Sequence, residues 1–287
     1  MKKIILSFLL LSAFTANAAK DVTNSFLYEI SGNGLAKSSY LFGTFHVMCP
    51  DDVKLGDNLK AKLNSADRIV FEIDFSNPME LIKMMGSTKM PGDTTLIMLL
   101  NIEKYNYVVP FLRDSFKIKP EEYNTSKPVL LAQHMMPYMM GCSNITGVEI
   151  EILKLVLGNK KSISGLETVD DQLEALASIT LAEQAEELFN QLFNMDSTIL
   201  ELQQMVAAYK ARNLEKLHSL MTENDEFTPE MDQALLVNRN EKWIPVMKEM
   251  MEESSNFFAV GAGHLAGEKG LVNLLKKQGY KVSLIEE

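Results

Sequence analysis

Basic charge, histidine, cysteine and long apolar runs are all scarce in this chain. Its 28 lysines and arginines face 38 aspartates and glutamates, a formal net charge of −10. That balance argues against nucleic acid or an anionic membrane surface as a partner. Past residue 18 no apolar run is long enough to span a bilayer. No H-E-x-x-H is present, which excludes a zincin, and no G-x-S-x-G, which argues against a nucleophile elbow. Gly261-x-Gly263-x-x-x-Gly267 misses the spacing of a dinucleotide loop, and too little chain follows it. The two cysteines, Cys49 and Cys142, are compatible with one disulfide in an exported protein.

What remains is a globular composition, 46% hydrophobic and 23% charged, enough for a real core. The first 18 residues read as a signal peptide. Lys2 and Lys3 form a positive start, Ile4 to Phe14 is mostly apolar, and Ala16-Asn17-Ala18 fits a small-x-small cleavage site. Cleavage removes two lysines and no acid, which takes the formal charge from −10 to −12. The sequence therefore predicts an exported protein, periplasmic or secreted, with no stable membrane insertion after cleavage. Residues 19–287 are expected to form one domain.

Two segments share a pattern. Leu41-Phe42-Gly43-Thr44-Phe45-His46 and Val260-Gly261-Ala262-Gly263-His264 each run an apolar strand into Gly-x-x-His. A histidine just past a strand end stands on a rigid support, and the glycine lets backbone or ligand approach closely. Either segment alone reads equally well as an ordinary turn. Two at opposite ends of a chain with four histidines point to one shared site. Arg68-Ile69-Val70-Phe71-Glu72-Ile73-Asp74 is strand-like on β-branched and aromatic content. Its apolar faces predict a covered strand, so Glu72 must be paired, hydrogen-bonded or metal-bound. Met231, Leu235, Arg239, Trp243, Met247 and Met251 recur every four residues, which sets Arg239 on an apolar helix face. It either lays its stem over the core or points its guanidinium into a site. Pro245 is expected to kink or interrupt that helix.

The remaining chain reads as a hairpin over Phe26–Ile30 and Ser39–Phe42, a short helix over Asp57–Ser65, and helices from 78 to 160. Further strands are expected at Ser162–Glu167, Asn256–Val260 and Tyr280–Ile285, with a helix from Gly267 to Gln278. Thr168-x-x-Asp171 resembles a helix cap. A helix is expected from Pro128 through Met140. Its methionines Met135, Met136, Met139 and Met140 read as packing at helical spacing, although thioether, imidazole and thiol groups also suit copper. The fold class is mixed α/β: a central sheet from N- and C-terminal strands, with a large helical section over about 78–255.

Two imidazoles and a carboxylate, His46, His264 and Glu72, make a plausible divalent metal site. Arg239 would stabilise an oxyanion or bind a carboxylate; Asp74 and Glu167 stand in reserve. The chain resembles the TraB/PrgY/GumN family, relatives of the Tiki metalloproteases. The matching pieces are the two Gly-x-x-His segments, Val70-Phe71-Glu72-Ile73-Asp74, Ser164-Gly165-Leu166-Glu167-Thr168, Asn238-Arg239-Asn240 and Gly270-Leu271-Val272 through Gly279-Tyr280-x-Val282. They keep the family's order over nearly the whole chain. The resemblance implies a paired-histidine site with a divalent metal, with Glu72 as the acid and Arg239 as the arginine. It implies proteolysis of a peptide or protein in the Tiki branch. Two other roles stay open: peptide sequestration without catalysis, and haem or metal capture.

Overall fold

In a computed structural model, residues 24–159, 161–223 and 227–287 are described. The expected signal peptide lies outside them. Six strands form one sheet in the order β4-β3-β5-β2-β1-β6. They are β1 (Leu27–Ser31), β2 (Ser39–Thr44), β3 (Arg68–Ile73), β4 (Ser162–Glu167), β5 (Asn256–Gly261) and β6 (Lys281–Leu284). β1 and β2 form the expected hairpin, and β6 pairs antiparallel with β1. β4, β3, β5 and β2 run parallel. Their carboxyl ends therefore share one edge, where open α/β sheets bind ligands.

β5 lies between β3 and β2, and all six of its residues are buried. That is why Phe257, Phe258, Ala259 and Val260 form a continuous apolar run rather than an alternating one. Phe42, Phe71, Phe257, Phe258 and Trp243 fill the core on this sheet, each worth about 2–3 kcal/mol of burial. The Asn238–Glu253 helix packs on β4 and on the Leu271–Lys277 helix. A second apolar cluster, including Leu96, Leu112, Leu131, Met135, Met139 and Leu188, holds the helical section together.

Three local expectations need correction. The helix over Pro128–Met140 is two helices, Pro128–Gln133 and Met136–Met140. Pro137 cannot donate within a helix interior, and it sits instead in the first turn of the second. Pro245 does not interrupt the Asn238–Glu253 helix; the irregularity comes just upstream, where Gln233–Val237 is a π-helical turn. The last helix begins at Leu271, because Gly267 takes a left-handed φ of 80° and Gly270 is the N-cap. β4 also shows that the section between 78 and 255 supplies an edge strand to the sheet.

Candidate functional site

His46, Glu72, Glu167 and His264 all arise at the carboxyl ends of parallel strands, and Arg239 reaches them from the neighbouring helix. β3 and β4 are in register with Ile73 beside Glu167, and β2 and β5 with Thr44 beside Gly261. The first glycine of the first motif is needed for packing. A Cβ on Gly43 would lie 2.6 Å from Leu265 and 3.1 Å from Ala262. The two Gly-x-x-His segments can therefore lie against each other only with glycine there. Tyr209 holds this junction by donating to the Gly43 carbonyl at 2.9 Å.

Glu72 is fixed on both oxygens. Oε1 accepts the Gly261 N–H at 2.7 Å; Oε2 accepts from Arg239 Nη2 at 2.6 Å and from Gln172 Nε2 at 3.2 Å. The guanidinium also donates from Nε and Nη2 to Glu167, at 3.0 and 2.7 Å for Oε1. Its Nη1 donates to the Leu235 carbonyl at 2.9 Å. Trp243 completes Glu167 by donating to Oε2 at 2.8 Å, and the guanidinium stacks 4.9 Å from the Trp243 ring. Arg239 therefore points into the site. The π-helical turn before it makes the Leu235 carbonyl part of its socket, a setting in which such turns recur.

His264 is 3% exposed. Asn240 gives its amide nitrogen to the His264 and Lys269 carbonyls, so its Oδ1 must accept from His264 Nδ1, at 2.7 Å. That leaves the lone pair on Nε2, which faces Arg239 Nη1 at 3.2 Å and Glu72 Oε1 at 3.9 Å. Burial is the main reason that its pKa falls to about 3, against the pull of Glu72, so His264 is neutral at pH 7. Burial alone would raise the Glu72 carboxyl. The charges of His264, Arg239 and His46 and the Gly261 N–H outweigh it and hold it at about 2. His264 and Glu72 titrate as a coupled pair. Since His264 is neutral above that range, the charges that hold the carboxylate ionised at pH 7 are those of Arg239 and, behind it, His46.

His46 lies in the loop after β2. Paired bonds between Met48 and Thr146, and Val148 N–H to the Phe45 carbonyl at 2.9 Å, tie that loop to the start of the Val148–Leu157 helix. Glu149 thereby reaches His46 Nδ1 at 2.8 Å. Burial works against protonation of His46, but the hydrogen bond and charge of Glu149 prevail and raise it to about 9. The ring side chain keeps 59% of its surface exposed, so water screens part of that pairing. Cys49 and Cys142 are joined as a disulfide, Cα atoms 6.0 Å apart, which fastens this loop to the end of the Met136–Met140 helix.

The groups converge on Gly261. A Cβ there would lie 3.0 Å from His46 Nε2, 3.2 Å from Glu72 Oε1 and 3.6 Å from the His264 ring. The four expected site residues thus come together. Of the two acids in reserve, Glu167 joins them and Asp74 caps a turn, accepting from Ser76 N–H and Oγ. Sequence reasoning missed Glu149, Gln172, Asn240 and Trp243 as parts of the site. Only Asn240 and Trp243 carried a signal, as the helical neighbours of Arg239.

This chain thus brings its two Gly-x-x-His segments together at the carboxyl edge of one sheet. It belongs to the TraB/PrgY/gumN family, whose model matches residues 26–284. Metalloprotease TIKI2 of Danio rerio is 21% identical over 90% of this chain and 60% of its own length. Metalloprotease TIKI1 of Xenopus tropicalis is 23% identical over 93% and 62%. A metalloprotease TIKI homolog of Amphimedon queenslandica is 23% identical over 99% and 66%. The chain thus spans about 60% of the length of the first two relatives. No solved structure matches it.

Proposed function

We propose that this chain is an exported metal-dependent hydrolase, a peptidase above all, whose catalytic unit is the sheet edge around Gly261. The gap beside Gly261 carries the reading. The His46 Nε2, the Glu72 Oε1 and the edge of the His264 ring border a space that a single methyl group would fill. Among the described residues no three His, Cys, Asp or Glu side chains are already drawn together as a ligand set. The donor chemistry nonetheless fits a divalent ion. Asn240 fixes the His264 tautomer that keeps a lone pair on Nε2, and His46 is backed at Nδ1 by a carboxylate, the usual support of metal-bound histidine.

His46, His264 and Glu72 would hold the ion. A metal so bound supplies a Lewis acid and a water of lowered pKa. The other work falls to the chain. Glu72 is ionised at neutral pH and serves as the base. Arg239 stands beside it to counter negative charge on a carbonyl oxygen. Asn240 and Glu149 hold the two rings in the required tautomers. The names of the TIKI relatives support both the metal and a peptide or protein substrate.

A second reading, peptide sequestration without turnover, draws on one observation. Arg239 Nη1 occupies the His264 lone pair, a contact a bound ion would have to replace. Metal analysis of the purified protein with a cleavage screen over a peptide library decides between them. Metal-dependent cleavage supports the hydrolase; binding without cleavage at any metal overturns it.

A further inference from the structure

The site opens into a cavity of about 420 Å³, within the range of ligand pockets. One end is polar, formed by His46, Glu72, Arg239 and His264. The rest is carbon and sulfur: Met136, Leu202, Met205, Leu217, Met221 and Leu235 line it. They come from four separate elements, the Met136–Met140, Met195–Lys210 and Leu214–Thr222 helices and the Gln233–Val237 turn. The disulfide fixes the end of the first of these to the His46 loop, so apolar wall and polar floor are tied together. Met135 and Met139 point into the second core, whereas Met136 of the same segment faces the cavity.

Thr44 gives a second, independent sign. It lines the cavity beside the polar end and is 1% exposed. Its Oγ1 is buried without a hydrogen-bond partner among the described residues. A buried hydroxyl left unsatisfied is costly, and a water, an ion or a ligand is what normally supplies the partner.

From this we propose that the cavity takes a large apolar side chain of the substrate, next to the bond held at Glu72, while the Thr44 hydroxyl meets the adjoining peptide backbone. The inference rests on the hydrolase reading for the bond and on the cavity alone for the side chain. Three methionines in the wall adapt to different apolar shapes, so leucine, methionine and phenylalanine are all accepted. Aspartate and lysine are refused, because the wall offers no partner for a buried charge.

Blocked peptides of glycine, alanine and serine with one variable residue test this. Each is made twice: as the ordinary peptide for cleavage, and with ketomethylene links flanking the variable residue for calorimetric binding. Leucine, methionine or phenylalanine should bind at least tenfold more tightly than alanine, the scale of one or more buried methylenes. Met205→Trp, which fills the cavity, should remove or reverse that preference, and Thr44→Val should weaken all peptides alike. Equal binding of leucine, alanine and aspartate peptides, or an unchanged preference in Met205→Trp, overturns the inference. The cleavage series judges the hydrolase separately. Cleavage with no side-chain preference keeps the hydrolase and overturns the pocket. Apolar-selective binding without cleavage keeps the pocket and overturns the hydrolase.

Discussion

The Glu72 carboxylate accepts the Gly261 N–H at 2.7 Å, a bond from the end of β3 to the end of β5 beyond their backbone pairing. One oxygen is thereby held on the second histidine motif while the other is held by Arg239. Glu72→Gln tests that division. A glutamine can still accept from Gly261, but its NH2 must then face the donors of Arg239 and Gln172. Turnover should fall at least about a hundredfold, the scale of a general base. Stability should fall by about 1–3 kcal/mol, the cost of unsatisfied buried groups. Kinetics and urea midpoints on the same preparation check both, and wild-type turnover would reduce Glu72 to a structural acid.

Arg239 joins two carboxylates, so its loss strands both. Arg239→Met should cost about 3–5 kcal/mol, as for a buried ion pair broken on one side. Arg239→Lys keeps the charge but not the fork that spans Glu72 and Glu167. It should regain much of the stability while turnover stays about a hundredfold to a thousandfold down. Thermal melts with kinetics read the two effects apart. Full turnover in the lysine variant would make the guanidinium a structural clamp only.

The parts of the site that sequence made legible are those written in strand-end glycines and misplaced charge. Gly43 and Gly261 mark close approach, and Glu72 and Arg239 break otherwise apolar faces. The helper residues are a different matter. Glu149 reads as an ordinary acid in a helix's first turn, which the helix dipole favours anyway. Its role comes from the backbone bonds between the His46 loop and residues 146–148, a tertiary pairing that no local pattern encodes. Gln172 likewise gains its partner only because the Val169–Leu176 helix follows β4 beside β3. Helix ends fared well where a cap was present, as at Thr168 and Asp171, whose capping box is formed. They failed where proline or a left-handed glycine reset the start, as at Pro137 and Gly267.

Acid should unfold this protein through His264. Its folded pKa, about 3, lies below the ordinary 6.5, so between those values the unfolded chain carries a proton the folded chain refuses. The stability this group contributes is complete above pH 6.5. It falls by about 1.4 kcal/mol per pH unit on the way to pH 3. Glu72, held at about 2 against an ordinary 4.5, adds its own loss below pH 4.5. Urea midpoints between pH 7 and 4, taken in chelator so that metal release plays no part, should show this slope. His264→Gln should flatten it above pH 4.5. An equal slope in both proteins would place the acid sensitivity elsewhere.

Gly261→Ala separates the site from the fold most cleanly. The backbone at Gly261 has φ −52° and ψ 135°, which alanine adopts without strain. On the chain-entropy argument alone the substitution should add about 0.4–1 kcal/mol of stability. Yet the new methyl would stand 3.0 Å from His46 Nε2 and 3.2 Å from Glu72 Oε1, in the gap assigned to the metal and the reacting atoms. The side chains must then give way by tenths of an ångström, and displacements of about 1 Å at such sites cost roughly a hundredfold in rate. The expected protein is folded, melts close to wild type, binds divalent metal at least about tenfold more weakly and has lost most of its turnover. Gly86→Ala is the control, because no atom lies within 4 Å of its added Cβ. Isothermal titration with metal, beside a melting curve, reads the outcome without reference to substrate. Wild-type metal affinity in Gly261→Ala would show that the ion does not sit between the two histidine motifs.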